Sequence, residues 1–285
     1  MSVESVSMST SLQMDEESFT RLSTYITREY GIKLPLAKKS MLESRLNKKV
    51  RSLGLTSYKE FLDLIFAGQD DNHELRQVID LITTNKTDFF REPGHFQFLT
   101  GQFLTPYINE SNRRSLKIWS AGCSTGEEPY SIIMTLEEFR KQQPDFTYSI
   151  LASDLSTRVI QAAHNGIYDI EKTAPIPLDF KRKYFLRSTS NPQLVRVKPE
   201  YRKKLQFRRI NFIDDGFGLP KADLDIIFCR NVLIYFDKPT QERVILKFCS
   251  LLKPGGVLFL GHSESIMGMD LPLIQLRPTV YKLVE

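Results

Sequence analysis

A chain of 285 residues with 41% hydrophobic and 26% charged side chains has the make-up of a soluble globular protein, long enough for two unequal domains. Its apolar runs stop short of the ~20 residues a membrane-spanning helix needs. Three cysteines (Cys123, Cys229, Cys249) and four scattered histidines argue against a disulfide framework and offer no metal-ligand spacing, so no metal is expected. A net charge of +5 suits an acidic partner and leaves nucleic acid, anionic lipid and an acidic protein surface open.

Met1 to Thr10 is Ser-rich and polar, without the basic flank and apolar run of a signal peptide. Residues 1–14 therefore read as a disordered tail, and the protein as cytoplasmic. Residues 15–90 read as a helical domain. Phe19, Leu22, Tyr25 and Ile26 fall at helical spacing, as do Leu42, Leu46, Val50 and Leu53 ahead of Gly54. Tyr58, Phe61, Leu62 and Ile65 make a third stripe, and Leu75, Val78, Ile79 and Ile82 a fourth. Gly31, Pro35, Gly54 and Gly68 punctuate them, which predicts a small bundle. The segment from Lys38 to Leu53 carries Lys38, Arg45, Lys48, Lys49 and Arg51 mostly opposite its apolar stripe, either as a solvated face or as a docking surface.

Residues 91–285 change pattern. Strands are predicted at Leu116 to Ala121, Tyr148 to Ser153, Leu224 to Cys229, Gly256 to Gly261 and Thr279 to Val284, with a helix from Pro129 to Arg140. Apolar strands alternating with helices predict an α/β fold, a largely parallel sheet covered on both faces. About 70 residues separate Asp154 from Leu224, where a simple crossover needs only ~30. The surplus holds β-like stretches at Lys183 to Arg187, Leu194 to Lys198 and Leu205 to Ile210. These read as a small antiparallel β-subdomain inserted at about 165–210, whose open edge could dock a peptide.

Four clusters could carry chemistry. The turn Gly122-Cys123-Ser124-Thr125-Gly126 follows a strand and opens a helix, where glycine permits close approach to a ligand. Glu127 and Glu128 at that helix start would repel a pyrophosphate but suit a sulfonium and an ammonium; the plain alternative is complementing the helix dipole. Asp154 ends a strand, as a ribose acceptor or as an N-cap. Asn231 and Tyr235 lie in an apolar string after the Leu224 strand, with Tyr235 equally readable as a core tyrosine. The polar run Thr83 to Arg91 lies at the domain junction, as a site wall or as a linker.

Together these residues resemble the CheR-type chemotaxis receptor (protein-glutamate) O-methyltransferases. The shared strings are Leu81-Ile82-Thr83-Thr84-Asn85 with Phe89-Phe90-Arg91-Glu92, Trp119 to Ser131, Ala152-Ser153-Asp154, Phe228 to Phe236, Leu252-Lys253-Pro254-Gly255-Gly256 and Gly261-His262-Ser263-Glu264. They run in family order from residue 81 to residue 264; the helical part resembles the family more loosely.

The resemblance implies a doubly wound Rossmann-like methyltransferase domain ending in an antiparallel strand, with an inserted small antiparallel β-subdomain, preceded by a small all-α receptor-recognition domain. It implies S-adenosyl-L-methionine as cofactor and S-adenosyl-L-homocysteine as product. Contacts are implied at Asn85, Thr87, Arg91, Glu128, Asp154, Asn211, Phe212, Asn231 and Val232, beside the Gly122 turn. The expected substrate is a glutamate carboxylate on the cytoplasmic helices of methyl-accepting chemotaxis receptors. Arg91 would hold that carboxylate and Tyr235 orient it, while Lys38, Arg45, Lys48, Lys49 and Arg51 dock on the receptor.

The loop Ser188 to Pro192 lacks the glycines some members use to grip a receptor C-terminal tail, which leaves that tether open. A monomer recruited to membrane receptor arrays is expected, without membrane insertion or nucleic acid. The alternatives are a non-catalytic CheR-like module that binds S-adenosylmethionine, a nucleic-acid methyltransferase and, least, a nicotinamide oxidoreductase.

Overall fold

The computed structural model describes residues 12–67, 73–111 and 114–284. Residues 1–11 of the expected tail and Gly68 lie outside them. The chain divides into two compact units, Met1–Thr83 and Thr84–Glu285.

In the first unit, α1 (Glu16–Tyr30) begins where Asp15 accepts the Ser18 amide at 2.7 Å. It ends at Gly31, whose φ of 70° closes the last turn. Helices α2 (Lys39–Ser52), α3 (Tyr58–Ala67) and α4 (His73–Ile82) follow. The four stripes read from the sequence supply the buried faces, except that Tyr25 and Leu53 are half-buried. Each fully buried side chain of this kind stabilises by about 1.5–3 kcal/mol. Met14 also belongs to this core, and its amide donates to Glu43 Oε1 at 2.7 Å.

The second unit starts with α5 (Gly94–Phe98), a single π turn at Leu99–Phe103, and α6 (Leu104–Ser111). Then come β1 (Ser115–Ala121), α7 (Glu127–Arg140), β2 (Thr147–Asp154) and α8 (Thr157–Asn165). The insert contributes β3 (Ile167–Asp169), α9 (Leu178–Tyr184), β4 (Phe185–Arg187), β5 (Leu194–Val197) and α10 (Pro199–Arg202). The main fold resumes with β6 (Leu205–Arg209), β7 (Leu224–Cys229), α11 (Lys238–Leu251), β8 (Leu252–Leu260), β9 (Leu273–Arg277) and β10 (Val280–Leu283).

The seven-stranded sheet has the order β6-β2-β1-β7-β8-β10-β9, and the small sheet the order β3-β5-β4. Strands β6, β2, β1, β7 and β8 run parallel; β10 pairs antiparallel with β8 and β9. Every residue of β7 is buried, as a central strand covered on both faces requires. Two expectations change. Leu205 to Ile210 was assigned to the insert, but β6 pairs in parallel with β2 of the main sheet, and β3 is the insert's third strand. A parallel partner some fifty residues away leaves no local hairpin signal. Of Lys183 to Arg187, Lys183 and Tyr184 end α9, so β4 begins only at Phe185.

The carboxyl ends of β1, β2, β7 and β8 lie along one edge of the sheet. Each is followed by a loop, and in α/β sheets ligands bind at that edge.

Candidate active site

Beyond β1, Gly122 and Cys123 both donate their amides to Ser153 O at 2.8 Å. Gly122 has φ 90°, and a Cβ there would lie 2.3 Å from Val232 Cγ2. The turns after β1 and β7 are therefore in contact, and only glycine fits at that point. Ser124 donates its amide to Asp154 Oδ2 at 2.9 Å, and the Ser156 amide reaches Oδ1 at 3.0 Å. The cap of α8 is Ser156, which accepts from Val159 N at 3.3 Å. Asp154 is not that cap; its half-buried carboxylate is aimed by two amides.

The two acidic residues at the start of α7 have different fates. Glu127 is fully buried and accepts from Lys172 Nζ at 2.7 Å and Thr125 Oγ1 at 2.6 Å. Glu128 accepts from Ser120 Oγ at 2.7 Å and pairs with Arg230 Nη1 at 3.2 Å. Burial raises the Glu128 carboxyl above its ordinary pKa, with Arg230 opposing.

Arg230, immediately after β7, is the hub. Its buried guanidinium donates to Glu92 Oε2 from Nε at 3.2 Å and from Nη2 at 3.0 Å, and Nη2 also donates to Arg91 O. Glu264 accepts four amides: Gly261 at 2.6 Å, Leu233 at 2.7 Å, Val232 at 2.8 Å and Asn231 at 2.9 Å. These hold Asn231 at φ 61°. Burial raises the Glu264 pKa, and the four amides counter it.

Arg230, Glu92 and Glu264 lie outside the site residues expected from the sequence. A charged residue directly after the apolar run Ile226 to Cys229, and a glutamate just past the next strand, were the available signals.

Other expected residues are placed as follows. Asn85 O accepts from Ser124 Oγ at 2.9 Å, so the Asn85 segment joins the turn. Arg91 is half-buried and donates from Nη1 to Lys86 O at 3.2 Å. Thr87 and Tyr235 are half-buried. Asn211 closes a local turn, donating from Nδ2 to Asp214 Oδ1 at 3.0 Å and accepting from Ile213 N at 3.3 Å. The Phe212 ring is buried edge-on to Trp119 and Phe248, with centroids 6.0 and 5.6 Å away.

Within the first unit, Arg45 Nη1 donates to the carbonyls of Ile82 at 2.7 Å, Thr83 at 3.1 Å and Leu81 at 3.4 Å. It thereby caps the C-terminus of α4. Lys49 pairs with Glu74 at 2.5 Å. Lys48 and Arg51 are exposed and Lys38 half-buried.

The fold also gathers Glu92, His95 and His262, with one ligand-type atom of each within 4.8 Å of the others. Burial, with Arg230 nearby, lowers the His95 pKa to about 4. Burial pushes the Cys123 and Cys229 thiols well above their ordinary range, so neither is a ready nucleophile.

Glu92 and Glu128 thus share a single guanidinium, with Glu264 close enough to act on Glu128 and Asp154 hydrogen-bonded into the same set of turns. That surplus of negative charge fits a ligand bearing a sulfonium and an ammonium and disfavours a pyrophosphate. A doubly wound sheet closed by an antiparallel strand, with this anionic edge, defines an S-adenosylmethionine-dependent methyltransferase.

The family model described as "CheR methyltransferase, SAM binding domain" matches residues 85–281, and "CheR methyltransferase, all-alpha domain" matches residues 17–83. The chemotaxis protein methyltransferase of Escherichia coli (strain K12) is 38% identical over 279 residues, covering 97% of this chain and 94% of that protein. That of Borreliella burgdorferi is 36% identical over 275 residues, 95% of each chain. Chemotaxis protein methyltransferase 2 of Pseudomonas aeruginosa is 38% identical over 266 residues, 93% of this chain and 92% of that one. The chain belongs to the CheR methyltransferase family. Among the described residues no helix is long and apolar enough to cross a membrane.

Proposed function

We propose that this protein esterifies glutamate side chains on the cytoplasmic helices of methyl-accepting chemotaxis receptors, producing the methyl esters used in sensory adaptation. The strongest support is its nearly full-length likeness to proteins named chemotaxis protein methyltransferases. Bound S-adenosylmethionine supplies a sulfonium methyl that an ionised carboxylate can accept directly, leaving S-adenosylhomocysteine.

A glutamate with an ordinary pKa of ~4.3 is already ionised at neutral pH. The acceptor then needs no general base, which is consistent with a site whose thiols are shut. What the protein contributes is alignment, worth up to roughly 7–11 kcal/mol in favourable cases.

Arg91 holds the substrate carboxylate and Tyr235 orients it by a hydrogen bond. The Arg91 contact must position more than it neutralises, because a tightly paired carboxylate is a poorer nucleophile. Asp154 takes the cofactor's ribose hydroxyls, and Glu128 and Asn231 its charged or amide-matching groups. Asn85, Thr87, Gly122, Val232, Asn211 and Phe212 complete the walls. Lys48, with Lys38 and Arg51, docks on acidic receptor helices around the methylation sites and recruits the monomer to the receptor array. The insert's open edge is where a receptor tail peptide would add as a strand.

The test is methyl transfer from labelled S-adenosylmethionine to receptor-containing membranes, read as alkali-labile ester. Wild type should label receptors, and Arg91→Ala should not while still binding cofactor. Tight cofactor binding by wild type without ester on a receptor panel would instead mark a non-catalytic regulatory module.

A further inference from the structure

We propose that Glu92, His95 and His262 form a site for a borderline transition-metal dication, zinc above all, beside the Arg230 hub. Thr279 Oγ1 donates its single hydrogen to Pro278 O at 2.7 Å. With that hydrogen on Pro278 O, the 2.9 Å contact between His95 Nε2 and Thr279 Oγ1 is completed by a ring proton on Nε2. The lone pair then sits on Nδ1.

That nitrogen is buried and has no hydrogen-bond partner among the described residues. It lies 3.5 Å from Glu92 Oε2, and in that tautomer both atoms are acceptors facing each other. A buried acceptor without a donor is costly, and a cation between the two would relieve it.

The third ligand is in reach. His262 Nε2 is 4.0 Å from Glu92 Oε2, and its side chain is 64% exposed, which leaves it free to swing and gives the ion an entry path. The surrounding contacts have the form that ligating residues need. The second nitrogen of His95 is fixed by Thr279, and Glu92 Oε1 accepts the His262 amide at 3.1 Å. Two imidazoles and one carboxylate suit zinc, with a fourth position for water, and are a poor set for magnesium or calcium.

Arg230 is the opposing charge. It donates to Glu92 Oε2 at 3.0 and 3.2 Å, and a dication would compete with it for that oxygen. Because Arg230 also pairs with Glu128 at 3.2 Å, zinc would loosen the Glu128 brace and weaken cofactor binding. This coupling rests on the cofactor contact proposed at Glu128; the metal site itself does not.

The test is titration of the full chain with Zn²⁺ alone, followed by competition with a chromogenic chelator and by X-ray absorption. One zinc per chain in a nitrogen and oxygen shell is expected, with affinity falling at least ~10-fold in His262→Ala. That exposed position leaves the fold intact, which circular dichroism checks. Absence of stoichiometric binding, sulfur ligation at the cysteines, or wild-type affinity in His262→Ala would overturn the site. S-adenosylmethionine affinity should drop on zinc loading of wild type but not of His262→Ala. An unchanged affinity in wild type would overturn the coupling.

Discussion

Glu264 Oε1 lies 2.8 Å from the amide of Val232, and the same carboxylate takes the amides of Leu233, Asn231 and Gly261. A side chain just past β8 therefore fixes the loop after β7. Glu264→Gln keeps the size but replaces one acceptor oxygen with a donor, leaving amides without an acceptor at about 1–3 kcal/mol each. S-adenosylmethionine should bind roughly 10-fold or more weakly, and Tm should fall. Calorimetric titration checks this, and wild-type affinity would show that the clamp does not position the cofactor loop.

Gly122→Ala should abolish measurable cofactor binding. Its Cβ would stand 2.3 Å from Val232 Cγ2, at a φ of 90° that side chains rarely adopt. Adding Val232→Ala removes the clash but not the backbone strain. The double variant should therefore regain part of the affinity, never all of it. No recovery at all would place the damage in the backbone alone.

Arg45 and Lys48 should separate in their effects, although both lie on the basic face read from the sequence. Removing Arg45 leaves the carbonyls of Leu81, Ile82 and Thr83 without their donor. Arg45→Ala should destabilise the helical unit by about 1.5–3 kcal/mol. Lys48→Glu, on an exposed side chain, should change stability by less than ~0.5 kcal/mol. It should nevertheless raise the KM for receptor severalfold while sparing cofactor binding. A receptor KM unchanged in Lys48→Glu would count against this face as the docking surface.

Acid should release the inserted subdomain's anchor. Burial alone would raise the Glu138 pKa, but hydrogen bonds from Lys141, Lys183 and Tyr184 outweigh it and bring the carboxyl from 4.5 to about 2. The native carboxylate thus binds its proton less tightly than the unfolded one. Its stabilisation is present above about pH 4.5 and is lost as pH falls toward 2. Glu138→Gln should lower stability at neutral pH and flatten the curve across that window, with cofactor affinity unchanged; urea midpoints against pH test it.

Glu128 and Glu264 carry the opposite sign. Burial raises both carboxyl groups, Arg230 opposing at Glu128 and backbone amides at Glu264. The folded chain holds these protons longer than the unfolded one, so their contribution weakens as pH rises from about 4.5 through the folded values. Glu128→Gln should make neutral-pH stability less sensitive to this titration while weakening cofactor binding. A stability curve parallel to wild type above pH 4.5 would refute the raised value.

By itself the sequence determined whatever depends on local periodicity and short strings. The four helical stripes, the buried β7 run and the Gly122 to Gly126 turn were all legible, because 3.6- and 2-residue patterns and glycine turns are written within a few positions. The resemblance added the family, and with it the cofactor. Long-range pairing decided the rest. The place of β6 beside β2 depends on a parallel partner outside its own neighbourhood. The Glu92–Arg230 bridge spans 138 positions, and the four-amide grip of Glu264 reaches back 33 positions to Asn231. No window contains both ends of such contacts, so the sequence read Arg45 as a surface cation and passed over Arg230. Packing, which brings distant charges into one low-dielectric neighbourhood, made Arg45 a helix cap and Arg230 the bridge between Glu92 and Glu128.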